Sequence, residues 1–373
     1  MSVNPYTHDV RLVIRGGGYS LLERKLFKCI AVIYSHGGHG DHFARVHHTK
    51  FGVNNEGGVT RSGAINAGIG GKYKGYIYVS RDRVQGVKSD GYKVTDLGIQ
   101  ELKKHVRLKF IESPLSKIEV GEEFLKAAKT ELPIASTHRK ILKTLNLSEN
   151  FSLEALSSDK LETVEFFRCY RRCLQGAFRF TVDDQQRIHY PLTFLKKTLR
   201  PLVTLEGSGG RPLAEVDIKS CGAQMMLKAG LVHPDEVGQW AKCIFDNQFY
   251  EYIKGNPGNR EEAKRGVNAA FNGSRKKYWR LLRERFPKTT AWLNRKTGLK
   301  LMSIESLVMN PLFEQLSSEG IRLLRLHDSF LCRVDDQEYI ASAMRDAGLA
   351  TDLAKPTLER LMEKHPEASK INH

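Results

Sequence analysis

The chain has 373 residues and a formal net charge of +17, from 59 Lys and Arg against 42 Asp and Glu. Its apolar fraction of 40% is ordinary for a globular protein and excludes wholesale disorder. The basic residues are spread along the chain instead of forming a tail, which favours a nucleic-acid partner over an acidic membrane surface. The length predicts two or three domains.

The cysteines show neither the framework of a disulfide-rich protein nor a zinc spacing, which predicts reduced thiols. They are Cys29, Cys169, Cys173, Cys221, Cys243 and Cys332. The first residues lack the apolar core of a signal peptide, and no apolar run is as long as a membrane span. We therefore expect a cytoplasmic protein that does not bind a membrane.

Residues 1–115 are predicted to form a basic, strand-rich domain that contacts nucleic acid. The runs RLVIR, KCIAVIYS and GYIYVS are β-type and are separated by glycine-rich loops. One loop carries His36, His39, His42, His47 and His48. Their spacing matches no familiar zinc pattern, so a metal site and a solvated or phosphate-contacting loop are both open.

Residues 116–185 are predicted to be helical and to form a thumb-like or connecting region. The segments SKIEVGEEFLKAAKTEL, STHRKILKTLNL and DKLETVEFFRCYRRCLQGAF all show helical periodicity. Ser136 and Thr137 provide a start signal for the second.

Strands and helices alternate again in residues 186–373. PLAEVDI predicts a strand, CGAQMMLKAG a helix, and NREEAKRGVNAAFNG a basic helix that ends near Gly273. MSIESLVMNPLFEQLSSEG predicts an amphipathic helix closed by Gly320. IRLLRL and FLCRV then predict a hairpin that turns at His327-Asp328-Ser329.

Asp217 and Asp328 each stand near the tip of a predicted strand with apolar neighbours. A carboxylate in such a place is costly unless a partner offsets its charge. Each could cap a following turn or helix, but capping does not account for the basic helix between them. Two aspartates from separate strands suit two-metal phosphoryl transfer, because Mg²⁺ prefers oxygen ligands.

The basic helix supplies cations of the kind that a transferring phosphate needs. Arg260 and Lys264 are four residues apart and share one helix face, which could grip a triphosphate. The alternative is a solvated face whose cations pair with the neighbouring glutamates.

In chain order, Asp217, the pair Arg260-x-x-x-Lys264 and the run His327-Asp328-Ser329-Phe330 resemble motifs A, B and C of the palm polymerases. These comprise the family A DNA polymerases and the single-subunit RNA polymerases of phages and mitochondria. The resemblance covers residues 185–335, and REEAKRGVNAAFNGSRK and DIKSCGAQMM are similar to the RNA polymerase forms of motifs B and A. It implies an α+β, right-hand-like polymerase with an antiparallel β palm and small helical fingers in residues 186–373.

The resemblance also implies roles for individual residues. Asp217 and Asp328 would bind two Mg²⁺ or Mn²⁺ ions, Lys264 would neutralise and could protonate the pyrophosphate, and Arg260 would hold the β- and γ-phosphates. The residues that would contact template or primer are Arg187, Arg200, Gln224, His327 and Ser329.

Three further residues would bind the nucleotide and bear on the choice of sugar. Gly222 stands where DNA-making relatives carry a Glu that excludes the 2′-hydroxyl, so a ribose would fit; alternatively, Gly222 only allows close helix packing. Asn272, which precedes Gly273, stands where relatives usually have a Tyr that stacks on the incoming base pair. An Asn cannot stack in that way, although it could hydrogen-bond a ribose.

The sequence therefore predicts a template-dependent nucleotidyltransferase with a DNA template, nucleoside triphosphate substrates and an RNA product. A primase or minimal RNA polymerase fits best, and the resemblance suggests a phage or plasmid replication system. One rival is a small family A-like DNA polymerase that extends primers. The other is a non-catalytic, nucleic-acid-binding replication initiator.

Overall fold

The computed structural model describes residues 5–6, 8–14, 19–35, 61–70, 73–80, 91–113, 115, 133–152, 156, 160–176, 180–255, 260–271, 276–293 and 297–355. Over these residues the chain has an α+β structure with small antiparallel sheets. The helix predicted in residues 116–132 and the five-histidine loop lie outside the described residues.

The elements are labelled in chain order. The strands are β1 (His8–Ile14), β2 (Ile77–Ser80), β3 (Gly91–Val94), β4 (Val106–Glu112), β5 (Leu145–Leu147), β6 (Thr181–Val182), β7 (Ile188–His189), β8 (Val203–Leu205), β9 (Ala214–Asp217), β10 (Leu323–Leu326) and β11 (Ser329–Cys332). The helices are α1 (Leu21–Ser35), α2 (Arg61–Ile69), α3 (Asp96–His105), α4 (Pro133–Leu142), α5 (Lys160–Gln175), α6 (Cys221–Lys228), α7 (Val237–Phe245), α8 (Phe249–Lys254), α9 (Arg260–Phe271), α10 (Lys276–Arg285), α11 (Pro287–Trp292), α12 (Thr297–Ser318) and α13 (Gln337–Asp346).

The chain divides into two compact units. The first contains residues 1–116 and 152–171, and the second contains residues 117–151 and 172–373. The residues of the predicted connecting region, 116–185, are thus shared between the two units.

In the first unit, β1 pairs with β4 along its whole length and β2 pairs with β3, both antiparallel. The strand predicted for KCIAVIYS is wrong, because that segment lies in α1. Along the whole of α1, Leu26, Ile30 and Ile33 stand at helical spacing and are fully buried in the core of the unit. Within the described part of residues 1–115, helix exceeds the predicted strand: α1 to α3 span 15, 9 and 10 residues, against 7, 4, 4 and 7 for β1 to β4.

The core of the second unit contains a three-stranded antiparallel sheet in the order β10–β11–β9. Leu326 is the partner of Ser329 across the hairpin, and Ser329 is in turn the partner of Asp217 on β9. Every residue of β10 and β11 is buried, which explains why the two strands are apolar apart from Arg325 and Ser329. The strand predicted for PLAEVDI, the helix predicted for CGAQMMLKAG and the predicted hairpin are confirmed.

Helices surround this sheet. α12 packs against β10 and α6, and α13 packs against β9. α12 begins at Thr297, earlier than the sequence predicts, and ends before Gly320, whose φ of +85° confirms the predicted glycine stop. α9 and α10 pack closely because Gly266 has no side chain: a Cβ there would lie 2.2 Å from the ring of Tyr278.

No helix in the described part of the chain combines the length and the apolar composition needed to cross a bilayer.

Candidate active site

Asp217 and Asp328 lie side by side at one end of the three-stranded sheet. β9 ends at Asp217, and the β10–β11 hairpin turns at His327 and Asp328. Because Asp217 is the direct partner of Ser329, the neighbouring residue Asp328 falls beside it. The backbone N–H of Ile218 donates a hydrogen bond of 3.1 Å to the carbonyl oxygen of Asp328. The structure thus brings together the two carboxylates predicted to bind metal.

The backbone on both sides of this pair is strained. The hairpin turn has two residues, and His327 has a φ of 53°, where such turns usually carry Gly. Ser220, three residues after Asp217, has a φ of 49°. A left-handed conformation costs a non-glycine residue roughly 1–2 kcal/mol. Strain of this kind persists where the surroundings over-determine it, and it is concentrated at functional sites.

The environment of the pair disfavours two negative charges. Burial raises the pKa of Asp217 to about 7, and the nearby carboxylates of Asp328 and Glu215 add to this effect. Burial also raises the pKa of Asp328. Oδ1 of Asp217 is buried and has no hydrogen-bond partner. Neighbouring cations therefore offset the two carboxylates only in part, and a bound cation would offset them further.

Lys264 contributes one cation to this site. Its positive charge acts to lower the pKa of both Asp217 and Asp328, and its side chain lines a cavity of about 220 Å³ that Asp328 also lines. Arg260, one turn earlier on α9, binds other residues of the protein. It donates hydrogen bonds of 2.9 Å to the carbonyl oxygen and to the side-chain oxygen of Asn247, and its guanidinium lies over the ring of Tyr250. Arg260 does not line this cavity with Lys264, and in this structure it anchors the start of α9.

Gly222 lies in the wall of the same cavity. A Cβ on Gly222 would lie 3.4 Å from the ring of Phe271, at the end of α9. Tyr250 and Asn268 line the cavity as well, and the sequence analysis identified neither. Asn272 and Gly273, the other predicted nucleotide contacts, lie outside the described residues.

Arg187 belongs to the cavity wall and is paired with Glu305 of α12. Its Nε donates to Oε1 of Glu305 at 3.1 Å. Burial opposes the charge of Arg187, but Glu305 and Asp328 raise its pKa overall. Arg187 was predicted to contact template or primer, and the structure places it beside Asp328 with its guanidinium partly neutralised.

A second arginine, which is buried, supports the turn that carries Asp328. Arg325, which is 2% exposed, donates its Nε to the carbonyl oxygen of His327 at 3.1 Å. Its guanidinium also lies 3.8 Å from Glu305. Glu305 therefore links Arg187 and Arg325, and burial raises its own pKa. The sequence signal for it was a Glu inside the apolar run SIESLVM.

Two more of the residues predicted to contact template or primer, Arg200 and Ser329, have hydrogen bonds within the protein. Arg200 lies 3.2 Å from Glu215, which also forms an ion pair with Lys197. Ser329 is 2% exposed, and its hydroxyl lies 3.0 Å from Oε1 of Glu215. Its predicted contact with the primer is not supported, because that hydroxyl is buried and already bonded. Glu215, two residues before Asp217, connects these groups and was missed.

The prediction for Gln224 needs correction. Its side chain is fully buried, donates to the carbonyl oxygens of Lys219 and Ala350, and accepts from the N–H of Ala350. It therefore holds the segment after α13 against α6 and has no group left for a primer.

His327 remains at the site as a neutral group. Burial, together with the positive charge of Arg187 and the nearby His189, lowers its pKa to about 3. Its Nδ1 is buried without a hydrogen-bond partner.

The described residues contain no group of three or more His, Cys, Asp or Glu side chains arranged to hold a metal ion. Two carboxylates are nonetheless sufficient protein ligands where waters and substrate phosphates complete the coordination of Mg²⁺. Comparisons with protein-family models, with curated proteins and with solved structures found no match to this chain.

Proposed function

We propose that the protein is a template-dependent nucleotidyltransferase that uses two divalent metal ions. The observation that carries this proposal is the side-by-side placement of Asp217 and Asp328, with Lys264 facing both. The three residues come from the end of a strand, a hairpin turn and a helix that are far apart in sequence. A purely structural role accounts poorly for two adjacent carboxylates whose pKa values are both raised by burial, with the Asp328 carboxylate adding to the effect on Asp217.

The residues fit divalent metal ions of the Mg²⁺ type. Asp217 and Asp328 offer hard oxygen ligands, and the buried Oδ1 of Asp217 has no other partner. When bound, the ions would activate the attacking hydroxyl and stabilise the leaving pyrophosphate. The residues of the chain would hold the carboxylates in place through the turn at His327, with Arg325 bonded to its carbonyl oxygen.

Lys264 would bind the phosphates of the incoming nucleotide. It lies on the cavity face of α9, so a triphosphate in the cavity would lie between the carboxylate pair and this ammonium. A cation at this place would stabilise the charge that develops on the pyrophosphate and could donate a proton to it.

The substrate would be a ribonucleoside triphosphate. Gly222 leaves the cavity wall open, with Phe271 as its nearest neighbour. A ribose 2′-hydroxyl would find space there, which supports a primase or minimal RNA polymerase that copies DNA.

The deciding experiment is nucleotide incorporation on unprimed and primed single-stranded DNA, with ribonucleotides and deoxyribonucleotides supplied separately and with Mg²⁺ or Mn²⁺. We expect RNA synthesis by the wild type and none by Asp328→Asn. Asp246→Asn, an exposed carboxylate on α7's C-terminal side, is the matched control and should synthesise normally. Products made only from deoxyribonucleotides on primed template would instead identify a DNA polymerase, and binding without synthesis under all conditions would identify a non-catalytic protein.

A further inference from the structure

One face of the β1–β4 sheet in the first unit carries a row of exposed cations. The two strands pair in register, so that Arg11 is directly opposite Lys109, and Val13 is opposite Arg107. Directly paired residues point to the same side of a sheet, and residues two apart on one strand share that side. Arg11, Arg107 and Lys109 therefore share one face, here called the basic sheet face, and all three are exposed.

The opposite face of the sheet is buried within the same unit. Val10 and Val106 are at most 5% exposed, and the ring of Phe110 packs against Phe167 of α5. Burial falls from Val10 to Arg11 on β1 and alternates over residues 106–109 of β4, which fixes the side that faces solvent. The basic sheet face is thus held outward by a packed core.

The pairing of Arg11 with Lys109 is unfavourable in the free protein. Like charges directly opposite each other destabilise an antiparallel pair. Asp9 offsets this only in part, since its carboxylate lies 3.9 Å from Nε of Arg11, which is 69% exposed. Within the described residues, no carboxylate forms an ion pair with Arg107 or Lys109. A polyanion bound across the face would remove the repulsion.

We infer that the basic sheet face binds the sugar-phosphate backbone of a nucleic-acid strand. Cations about 5 Å apart across the strands and about 7 Å apart along β4 form a compact group that can contact successive phosphates. The flanking Val13 and Ile111 are half-buried and offer apolar contact to sugars. Contacts of this kind hold a strand without reading its sequence, as a template-copying enzyme requires.

This inference extends the proposed function, since it assigns a surface that would hold the template. It is tested by binding alone, using the full chain and a labelled single-stranded DNA oligonucleotide, with a duplex of the same sequence as a second probe. The variant Arg11→Gln/Arg107→Gln/Lys109→Gln is compared with Lys242→Gln/Arg345→Gln/Lys355→Gln. The control removes the same charge from exposed positions of the second unit.

We expect the sheet variant to bind single-stranded DNA at least tenfold more weakly than the control at 150 mM salt. Each lost phosphate contact lowers the slope of log Kd against log salt by about 0.7 for single strands, so the three substitutions should lower it by about 2. Equal affinities and slopes for the two triple variants would overturn the proposal. Loss of binding to anionic phospholipid vesicles, with DNA binding unchanged, would also overturn it and identify a membrane surface.

A single substitution keeps the test available if the triple variant does not fold. Arg11→Gln removes one of the two facing cations, so it should raise the melting temperature at low salt and still lower the DNA-binding slope by about 0.7. A lower melting temperature with an unchanged slope would count against the proposal. Because no synthesis is measured, this result is independent of the proposed function. If the protein makes no product but its DNA binding depends on these cations, the proposed enzymatic activity is wrong and the proposed DNA-binding surface stands.

Discussion

The N–H of Ile218 donates a hydrogen bond of 3.1 Å to the carbonyl oxygen of Asp328. This bond extends the β9–β11 pairing by one residue and fixes the backbone of both aspartates at the end of the sheet. The backbones of the two aspartates therefore cannot separate without breaking the sheet. Their mutual repulsion is thus built into the fold, and it can be measured without any assay of activity.

The first prediction concerns stability and pH without metal. The pKa of Asp217 is about 7 in the folded protein and near 4 when unfolded, so between these values the folded state holds the extra proton. Stability then falls as the pH rises from 4 to 7, by up to about 1.4 kcal/mol per pH unit. At pH 8 the free energy of unfolding of Asp217→Asn should therefore exceed that of the wild type by on the order of 1–3 kcal/mol, so the variant should unfold at a higher denaturant concentration. Near pH 4 this difference should vanish.

Metal provides the control for this experiment. Added Mg²⁺ should stabilise the wild type at pH 8 and have little effect on Asp217→Asn, because the ion binds the ionised carboxylates of the folded state. Urea unfolding of the wild type and of Asp217→Asn, each with EDTA and with Mg²⁺, measures the stabilisation of both proteins by the ion. Equal stabilisation of the two proteins by Mg²⁺ would show that the ion binds elsewhere.

The second prediction concerns Lys264. Lys264→Ala should lower kcat by about 10²–10⁴-fold, the usual contribution of a positioned acid or of a cation on the transferring phosphate. Lys264→Arg keeps the charge and should retain more activity. Arg265→Ala is the matched control, because Arg265 is the next residue of α9 and its Nε bonds only the carbonyl oxygen of Glu261 at 3.3 Å among the described residues. Single-turnover kinetics with saturating nucleotide separates chemistry from binding, and a change in KM alone would place Lys264 outside the chemical step.

Local patterns could predict the parts of this site that stand at the ends of secondary-structure elements. Asp217 and Asp328 interrupt apolar runs at strand tips, and Lys264 is one turn into a helix, so all three are visible in the sequence. Gln224 fits the same motif spacing, yet its side-chain amide is hydrogen-bonded to the backbone of Ala350, 126 residues away. A partner at that distance leaves no local signal.

The strand predicted for KCIAVIYS and the role of Glu305 also depend on contacts that leave no local signal. KCIAVIYS is apolar on nearly every side, and periodicity cannot tell such a run in a buried helix from a buried strand. Glu305 was passed over because its role depends on Arg187, which lies on a different element. Sequence could predict the carboxylate pair, whereas the charges that surround it follow from tertiary packing.

The third prediction concerns the choice of sugar. Gly222→Glu should suppress the use of ribonucleotides more than that of deoxyribonucleotides, because its side chain would enter the cavity beside Phe271. Gly222→Ala is the control: its Cβ would meet the Phe271 ring at 3.4 Å, which a small movement accommodates. The measurement is the ratio of kcat/KM for matched ribo- and deoxyribonucleotides. An equal loss with both would mean that Gly222 serves only packing.

The fourth prediction concerns His138, which supports the sheet from α4. The N–H of Arg325 donates to its Nε2 at 3.0 Å, and Nδ1 lies 2.8 Å from the carbonyl oxygen of Ile134. Burial lowers the pKa of His138 to about 3, so the ring is neutral in the folded protein. The unfolded state gains a proton below pH 6.5, and the stability that His138 provides is lost as the pH falls from there towards 3.

His138→Phe removes the titration and keeps an aromatic ring beside Phe313. It should be less stable than the wild type at pH 7, because the N–H of Arg325 loses its partner. The gap should narrow by up to about 1.4 kcal/mol per pH unit between pH 6 and 4. If the unfolding free energies of the wild type and His138→Phe change equally with pH over this range, His138 is not neutral in the folded protein in the way proposed.

The fifth prediction concerns the packing that holds α9, and with it Lys264. In Gly266→Ala the new Cβ would overlap the buried ring of Tyr278, so the α9–α10 pair must shift, at about 1–3 kcal/mol of stability. Gly238→Ala is the control, since a Cβ on Gly238, in the first turn of α7, meets nothing within 4 Å and should not destabilise the protein. Urea unfolding of both variants measures the contrast. With Tyr278 replaced by Leu, Gly266→Ala should lower the free energy of unfolding by less than it does in the wild type, because the two side chains are in contact. If the two substitutions lower the free energy of unfolding additively, the glycine is required for another reason.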